Sequence, residues 1–182
     1  MASPNRPKFS FRNVKFEDLS TRNRNLLLEA KRALDQSYNV YSHFHVAAAL
    51  GIDDSPAVGA PNVITGTNVE NAAYGSAICA ERSALLTAHN RGVGDRCVAI
   101  AIIARAGDQE TAEVTGPCGE CRQVIMEAAF RSGVKESFRV ILATTSLAKI
   151  VVTTIGSLLP FAFTPADLGK VFPFYPQGIR RR

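Results

Sequence analysis

The sequence reads CAER at residues 79–82 and PCGEC at residues 117–121, and these two stretches carry its most specific chemical pattern. A catalytic zinc ion takes three protein ligands and keeps a fourth position open for water. Cys79, Cys118 and Cys121 can fill the three protein positions. The sequence therefore predicts a catalytic zinc site with one ion per chain.

Glu81 is the candidate for proton transfer at this site, because a carboxylate beside a metal ion need not be a ligand. Cys118 and Cys121 stand three residues apart and share a helix face, so they can hold one ion together. Cys79 and Glu81 stand two residues apart and reach a common ion only from the end of a helix. We therefore expect both motifs at helix N-termini, where the helix dipole also favours thiolates.

Two further residues are candidates for supporting the ligands. Three thiolates and one Zn²⁺ leave the cluster with a net negative charge. Arg82 can offset this charge by hydrogen bonding to a ligand sulfur, and Gln123 can add a neutral donor in the same shell around the metal.

The cysteines also allow other interpretations. A Cys-x-x-Cys pair alone is also typical of redox-active sites and of structural zinc. Structural zinc normally closes its shell with four protein ligands. Cys97 could be a fourth ligand, but it lies in an apolar run and is interpreted as a buried free cysteine. The histidines show no ligand spacing and are interpreted as structural or surface residues: His43, His45 and His89.

Composition predicts one globular domain without a membrane span. The chain has 182 residues and is 46% hydrophobic, which suits a full core. No apolar run reaches the roughly 18 residues of a membrane helix, and the N-terminal residues lack the apolar segment of a secretory signal. Three of the five net positive charges lie at residues 180–182, so we expect a solvated tail and no nucleic-acid surface. Four cysteines without a disulfide framework indicate a reducing compartment. We therefore expect the protein in the cytoplasm, and the nucleus is the additional location that this composition allows.

Hydrophobic periodicity predicts an α/β domain with about five strands. We assign residues 1–20 to a flexible N-terminal extension, 21–172 to the zinc-dependent domain and 173–182 to a basic tail. The predicted helices cover residues 22–37, 76–90 and 117–131, and the predicted strands cover residues 46–52, 63–67, 97–104, 139–143 and 150–155.

Additional motifs extend the pattern beyond the cysteines. The chain reads YSHF at 41–44, TGTNVENA at 65–72, PCGECRQ at 117–123 and LLPFAF at 158–163. Together with CAER, and in this order, they resemble the cytidine deaminases that act on free nucleosides, specifically the homotetrameric three-cysteine class. The likeness covers residues 38–168. It implies a three-layer α/β/α sandwich, a nucleoside substrate and a homotetramer with shared active sites.

The resemblance also implies roles for residues outside the metal motifs. Asn68 and Glu70 resemble the family's ribose-binding pair, and two residues apart in an extended segment they point to the same side. Phe44 resembles the aromatic residue that packs on the pyrimidine ring. The backbone of Ala80 is similar to the family position that hydrogen bonds the base. The positions that resemble aromatic residues lining neighbouring active sites across subunits are Tyr41, Tyr74 and Phe163.

The chain departs from the family pattern beside the predicted base-stacking residue. The family usually reads FPVGA where this chain reads FHVAA at 44–48. His45 replaces a rigid proline, and Ala47 adds a methyl group. Both changes bear on the shape of the pocket and on substrate choice.

The activity implied by the resemblance is hydrolytic deamination of cytidine and 2′-deoxycytidine to uridine products and ammonia, as in pyrimidine salvage. Three other interpretations stay open. One is a deaminase of a related nucleoside, such as a blasticidin-type antibiotic, which would share the metal motifs. The others are an enzyme that edits RNA or DNA and a zinc-stabilised binding protein without catalysis.

Overall fold

The strands and helices lie in one sheet and in layers on its two sides. The computed structural model describes residues 9–53 and 62–170. The strands described there are β1 (Phe11–Asn13), β2 (Phe44–Ile52), β3 (Val63–Thr67), β4 (Cys97–Ala106), β5 (Gln109–Glu110), β6 (Arg139–Ala143) and β7 (Ile150–Thr154). The helices described there are α1 (Thr21–Ala33), α2 (Ala80–Asn90), α3 (Gly119–Arg131) and α4 (Ile155–Leu158).

The sheet is mixed, and its order is β1-β7-β6-β4-β2-β3, with β5 paired to β4. Strands β4 and β6 are parallel, whereas the other pairs are antiparallel. The α/β class is confirmed, but the sequence predicted about five strands and the sheet has seven. The two additional strands, β1 and β5, have three and two residues. Such short and exposed segments give no hydrophobic alternation that a sequence pattern could detect.

Different helices cover the two faces of the sheet and give the three α/β/α layers that the sequence predicted. Successive side chains of a strand point to opposite faces. In β2, Ala47 and Ala49 pack in one cluster with the apolar side of α1. Ala48 and Leu50 pack in a second cluster with α2 and α3. The cysteine motifs belong to the α2 and α3 layer.

Part of the predicted N-terminal extension belongs to the sheet. Strand β1 pairs in antiparallel register with β7, so that Phe11 lies opposite Thr153. Leu19 is buried, and the Ser20 hydroxyl accepts a hydrogen bond from the backbone N–H of Asn23 at the start of α1. Residues 11–20 are thus folded, in contrast to the flexible extension predicted for 1–20. Residues 1–8 and the predicted tail at 173–182 lie outside the described part of the chain.

The helices begin and end at positions that differ from the predictions. Helix α1 stops at Ala33, and a 3-10 turn continues to Gln36. Helix α2 begins at Ala80 rather than at residue 76, because the chain forms a 3-10 turn at Tyr74–Ser76 and is extended at the N-cap. Helix α3 begins at Gly119, two residues after the predicted start. A cysteine is therefore the N-cap of both α2 and α3.

Gly66 allows α2 to lie directly against β3. A Cβ atom at this position would lie 2.3 Å from the backbone nitrogen of Ala84 and 2.6 Å from the carbonyl oxygen of Ala80. Glycine in a strand interior often marks such a close approach of another backbone. Because Ala80 is the first residue of α2, the missing side chain fixes how closely the start of this helix approaches the sheet.

Within residues 9–53 and 62–170, no helix is both long and apolar enough to cross a bilayer.

Candidate active site

Three cysteine sulfurs converge where the starts of α2 and α3 meet. The Sγ atoms of Cys79, Cys118 and Cys121 all lie within 4.8 Å of one another. The Sγ atoms of Cys79 and Cys118 are 4.0 Å apart. The cluster can hold one metal ion, and its three sulfur donors match the ligand set that zinc prefers.

Cys118 and Cys121 were predicted to share a helix face, but only Cys121 lies within the helix, because Cys118 directly precedes it. Cys118 is the N-cap of α3 and Cys121 lies in the first turn, where its backbone N–H donates to the Cys118 sulfur at 3.5 Å. The backbone N–H of Arg122 donates to the Cys118 carbonyl at 2.9 Å. These two bonds fix the sulfur and the backbone of Cys118 at the start of α3.

The sulfur cluster stabilises a thiolate at Cys79. The hydrogen bond from Cys121 is the largest cause that lowers the pKa of Cys79 to about 6, with further contributions from Cys118 and Arg82 against the opposing effect of burial. The same hydrogen bond, together with burial, raises the pKa of Cys121. The convergent sulfurs form a donor set that fits a divalent cation, whose binding displaces thiol protons.

Glu81 is a buried carboxyl group beside the cluster and is not one of the three clustered ligands. It lies in the first turn of α2, and only 4% of its surface is exposed. Burial is the main cause that raises its pKa, and the negative charge of Cys79 adds to the effect. A hydrogen bond with Cys121 opposes these effects. A carboxyl group that holds a proton above its ordinary range is suited to proton exchange with a bound reactant.

Arg82 and Gln123, the two predicted supporting residues, have different surroundings. The Arg82 guanidinium lowers the pKa of Cys79 by its charge, and its Nη1 and Nη2 bond the Glu120 carboxylate and the Ala77 carbonyl oxygen. The Gln123 amide instead donates to the backbone oxygen of Phe163 at 2.8 Å. Gln123 and Phe163 also line a groove of about 360 Å³ along α3. Gln123 therefore attaches the C-terminal segment to α3 and makes no contact with a ligand sulfur among its described hydrogen bonds.

Asn68 binds the backbone of the segment that contains Phe44. Its amide nitrogen donates to the Phe44 carbonyl at 2.9 Å, and its amide oxygen accepts from the Val46 N–H at 2.8 Å. The side chain thereby holds the first residues of β2 in place beside the predicted ribose-binding segment.

Glu70 binds the turn that precedes β2. Its carboxylate accepts from the backbone N–H groups of Tyr41 and Ser42, at 2.9 and 3.2 Å, and from the Ser42 hydroxyl. The hydroxyl is the largest cause that lowers the pKa of Glu70. Sequence reasoning missed Ser42 as a partner of this carboxylate, although serine in an aromatic and polar connection is a common turn residue.

Three of the four aromatic residues of the predicted site are exposed, and the fourth is half-buried. The rings of Tyr41 and Tyr74 are 5.9 Å apart with an interplanar angle of 56°. Phe163 is also exposed, whereas Phe44 is half-buried at the start of β2. Ala80, the first residue of α2, is fully buried.

The remaining cysteine and the histidines are not part of the cluster. Cys97 is fully buried at the start of β4, and burial raises its pKa to about 12, which confirms its interpretation as a buried free cysteine. His45 Nδ1 lies 2.8 Å from the hydroxyl of Ser37, and His89 Nδ1 lies 3.1 Å from the guanidinium of Arg131. These contacts are structural, as the sequence predicted.

Comparisons with known proteins agree on one family. Residues 20–135 match the family model for the cytidine and deoxycytidylate deaminase zinc-binding region. The cytidine deaminase of Halalkalibacterium halodurans is 39% identical over 143 residues, which cover 79% of this chain and 95% of the relative. The cytidine deaminase of Sporosarcina psychrophila is 40% identical over 143 residues, which cover 79% and 92%.

A solved structure leads to the same result. The crystal structure of cytidine deaminase from Burkholderia pseudomallei superposes with a TM-score of 0.65 at 37% sequence identity. The match covers 80% of this chain and 100% of that chain. The architecture described above is thus also that of a solved cytidine deaminase.

Proposed function

Because the chain belongs to the cytidine and deoxycytidylate deaminase family, we propose that it catalyses the hydrolytic deamination of cytidine and 2′-deoxycytidine. The products are uridine or 2′-deoxyuridine and ammonia. The observation that carries this proposal is the buried Glu81 beside three convergent cysteine sulfurs. A binding protein that used zinc only for stability would have no need for a carboxyl group buried at this place.

The three cysteines and Glu81 divide the chemistry between them. Cys79, Cys118 and Cys121 would hold the zinc ion, which supplies the Lewis acid that makes water a nucleophile near neutral pH. Glu81 takes a proton from the attacking water while a C–O bond forms at C4 of the pyrimidine. The carboxyl group passes this proton to N3. It then takes the remaining proton from the new C4 hydroxyl and passes it to the amino group, so that the C4–N bond breaks, the C4 carbonyl forms and ammonia leaves.

The segment around β2 and β3 supplies the substrate pocket in this proposal. Phe44 packs on the pyrimidine ring, and the backbone of Ala80 hydrogen bonds the base. Asn68 and Glu70 bind the ribose. Asn68 contacts the start of β2 and Glu70 contacts the turn that precedes it, and these contacts support the role by holding both side chains near Phe44. A carboxylate oxygen has more than one acceptor site, so Glu70 can bind a ribose hydroxyl in addition to its backbone partners.

We also propose a cytoplasmic homotetramer whose active sites are shared between subunits. Three exposed aromatic residues support this assembly, because large apolar side chains at a surface often mark an interface. These residues are Tyr41, Tyr74 and Phe163. The role of the enzyme would be pyrimidine salvage.

The test is turnover of cytidine and 2′-deoxycytidine, followed as loss of ultraviolet absorbance, with the zinc content measured on the same sample. We expect turnover with about one zinc ion per chain. Turnover of a blasticidin-type nucleoside but not of cytidine would refute the substrate assignment. Zinc without turnover of any nucleoside would refute the assignment as an enzyme.

Substitution Glu81→Gln tests the proton-transfer role directly. The amide keeps the shape of the side chain but cannot accept and return protons, so we expect turnover to fall by about 10³-fold or more. Zinc content should equal that of the wild type, since Glu81 is not one of the clustered ligands. Glu127→Gln, which removes a half-buried glutamate from α3, is the control and should keep full turnover. Wild-type turnover in Glu81→Gln would disprove the assignment.

A further inference from the structure

An ion pair joins the two helices that carry the cysteines. The guanidinium of Arg82, on α2, pairs through Nη1 with the carboxylate of Glu120, on α3. Arg82 follows Cys79 by three residues, and Glu120 lies between Cys118 and Cys121. The pair therefore crosses from one ligand-bearing helix start to the other.

Arg82 is held on several sides by this arrangement. Its Nη2 donates to the carbonyl oxygen of Ala77 at 2.8 Å, and its side chain is only 19% exposed. Ala77 lies two residues before Cys79, the N-cap of the same helix. Glu120 thus holds, through one rigid planar group, the segment that leads into a ligand of the other helix.

The backbone of Glu120 is fixed by the turn that holds the ligands of α3. The Cys121 N–H donates to the Cys118 sulfur, and the Arg122 N–H donates to the Cys118 carbonyl. Glu120 is also an acidic residue in the first turn of a helix, where the dipole stabilises it. Its carboxylate is 64% exposed, so the pair can be broken by substitution without leaving a buried charge on α3.

We propose that Glu120 is a positioning residue of the zinc centre, which holds Arg82 against the segment that leads into Cys79 and fixes the starts of α2 and α3 relative to each other. This inference deepens the proposed function and rests on its zinc site. Metal–ligand distances tolerate deviations of only about 0.2 Å, so a shift of one helix start weakens the hold on the ion. Cysteine ligands on two separate helices make the site sensitive to such a shift.

Zinc release to an excess of a chromogenic chelator tests the proposal on the zinc-loaded, full-length protein. We expect Glu120→Ala to release zinc about three- to tenfold faster than the wild type. This range lies between the effect of an exposed ion pair and that of a typical partner of a metal ligand. Glu127→Gln removes the same charge about 10 Å further along α3 and should release zinc at the wild-type rate.

A double-mutant cycle separates the positioning role from a general effect of charge. In an Arg82→Gln background, Glu120→Ala should cause no further acceleration, because the group that it positions is gone. Glu120→Asp, which keeps the charge on a shorter side chain, should restore part of the wild-type rate. An unchanged release rate in Glu120→Ala, or the same acceleration in both backgrounds, would overturn the proposal.

The outcome is distinguishable from a failure of the proposed function. A wild-type protein that binds no zinc or turns over no nucleoside would refute the enzyme assignment. A wild-type protein that does both, with an unaltered release rate in Glu120→Ala, would refute only the positioning role of Glu120.

Discussion

Cys79 and Cys97 carry the same thiol in opposite environments. Cys79 caps the start of α2 beside two other sulfurs and a guanidinium, and its pKa is lowered to about 6. Cys97 opens β4 in the apolar core, and its pKa is raised to about 12. Its sulfur faces the carbonyl oxygens of Val93 and Gly94, at 3.8 and 3.6 Å.

The difference follows from position in the fold and not from residue type. At Cys79, the hydrogen bond from Cys121, a second one from Cys118 and the charge of Arg82 stabilise a thiolate. The middle of a sheet presents apolar side chains, which destabilise it. Among the described residues, we therefore expect the zinc chemistry where the chain enters α2 and α3. Removal of Cys79 or of Cys97 tests this difference.

The strongest contrast is expected between Cys79→Ala and Cys97→Ala. Loss of a zinc ligand should lower turnover of cytidine by at least about 10⁴-fold and bring the zinc content close to zero. Loss of the buried thiol should leave turnover and zinc unchanged and reduce the free energy of unfolding by about 1 kcal/mol, through a small cavity. Steady-state kinetics, metal analysis and urea unfolding measure these effects. A zinc-free but active Cys79→Ala variant would contradict the division of roles.

Removal of zinc should change the Tm of Cys97→Ala but not that of Cys79→Ala. Binding of a ligand to the folded state alone stabilises it by about 4 kcal/mol at a thousandfold excess over Kd. We therefore expect a chelator to lower the Tm of the wild type and of Cys97→Ala by about 10 °C. The Tm of Cys79→Ala should not respond to the chelator in the same scan. An equal response in all three proteins would mean that the stabilising metal lies elsewhere.

Alkylation of the zinc-free protein compares the two thiols within one molecule. A thiol reacts as the thiolate, which predominates only above its pKa. A pH of 7 is above the pKa of Cys79 and far below the pKa of Cys97. We therefore expect Cys79 to react at least about 100-fold faster with iodoacetamide. The rate at Cys79 should fall as the pH drops through about 6. Mass spectrometry of peptides from timed samples measures both rates, and comparable labelling of Cys97 would contradict its burial.

The sequence allowed the central part of the site to be predicted because the relevant constraints are local. Cys118 and Cys121 are three residues apart, and Cys79 directly precedes an amphipathic run. Their positions at helix starts followed from spacing and from the dipole alone. The buried state of Cys97 followed from the apolar run around it.

Other features depend on contacts that no local pattern records. Arg82 and Glu120 are 38 positions apart in the sequence, and Gln123 reaches the backbone of Phe163 across 40 positions. The start of α2 was placed too early because Ser76 is a good N-cap residue, although the chain stays extended until Cys79. Strand β1 was missed because its pairing with β7 depends on residues near the other end of the domain.

Strand β1 also bears on how the protein can be handled. A β-strand whose N–H and C=O groups are unpaired along one side is a template for pairing with another chain. By lying along β7, the short segment Phe11–Asn13 covers the outer side of that β-branched strand, and it presents Arg12 and Asn13 at the new margin. A truncated form that starts at residue 21 would leave the Ile150–Thr154 strand uncovered. Such a form should lose solubility on storage even while its zinc site is intact.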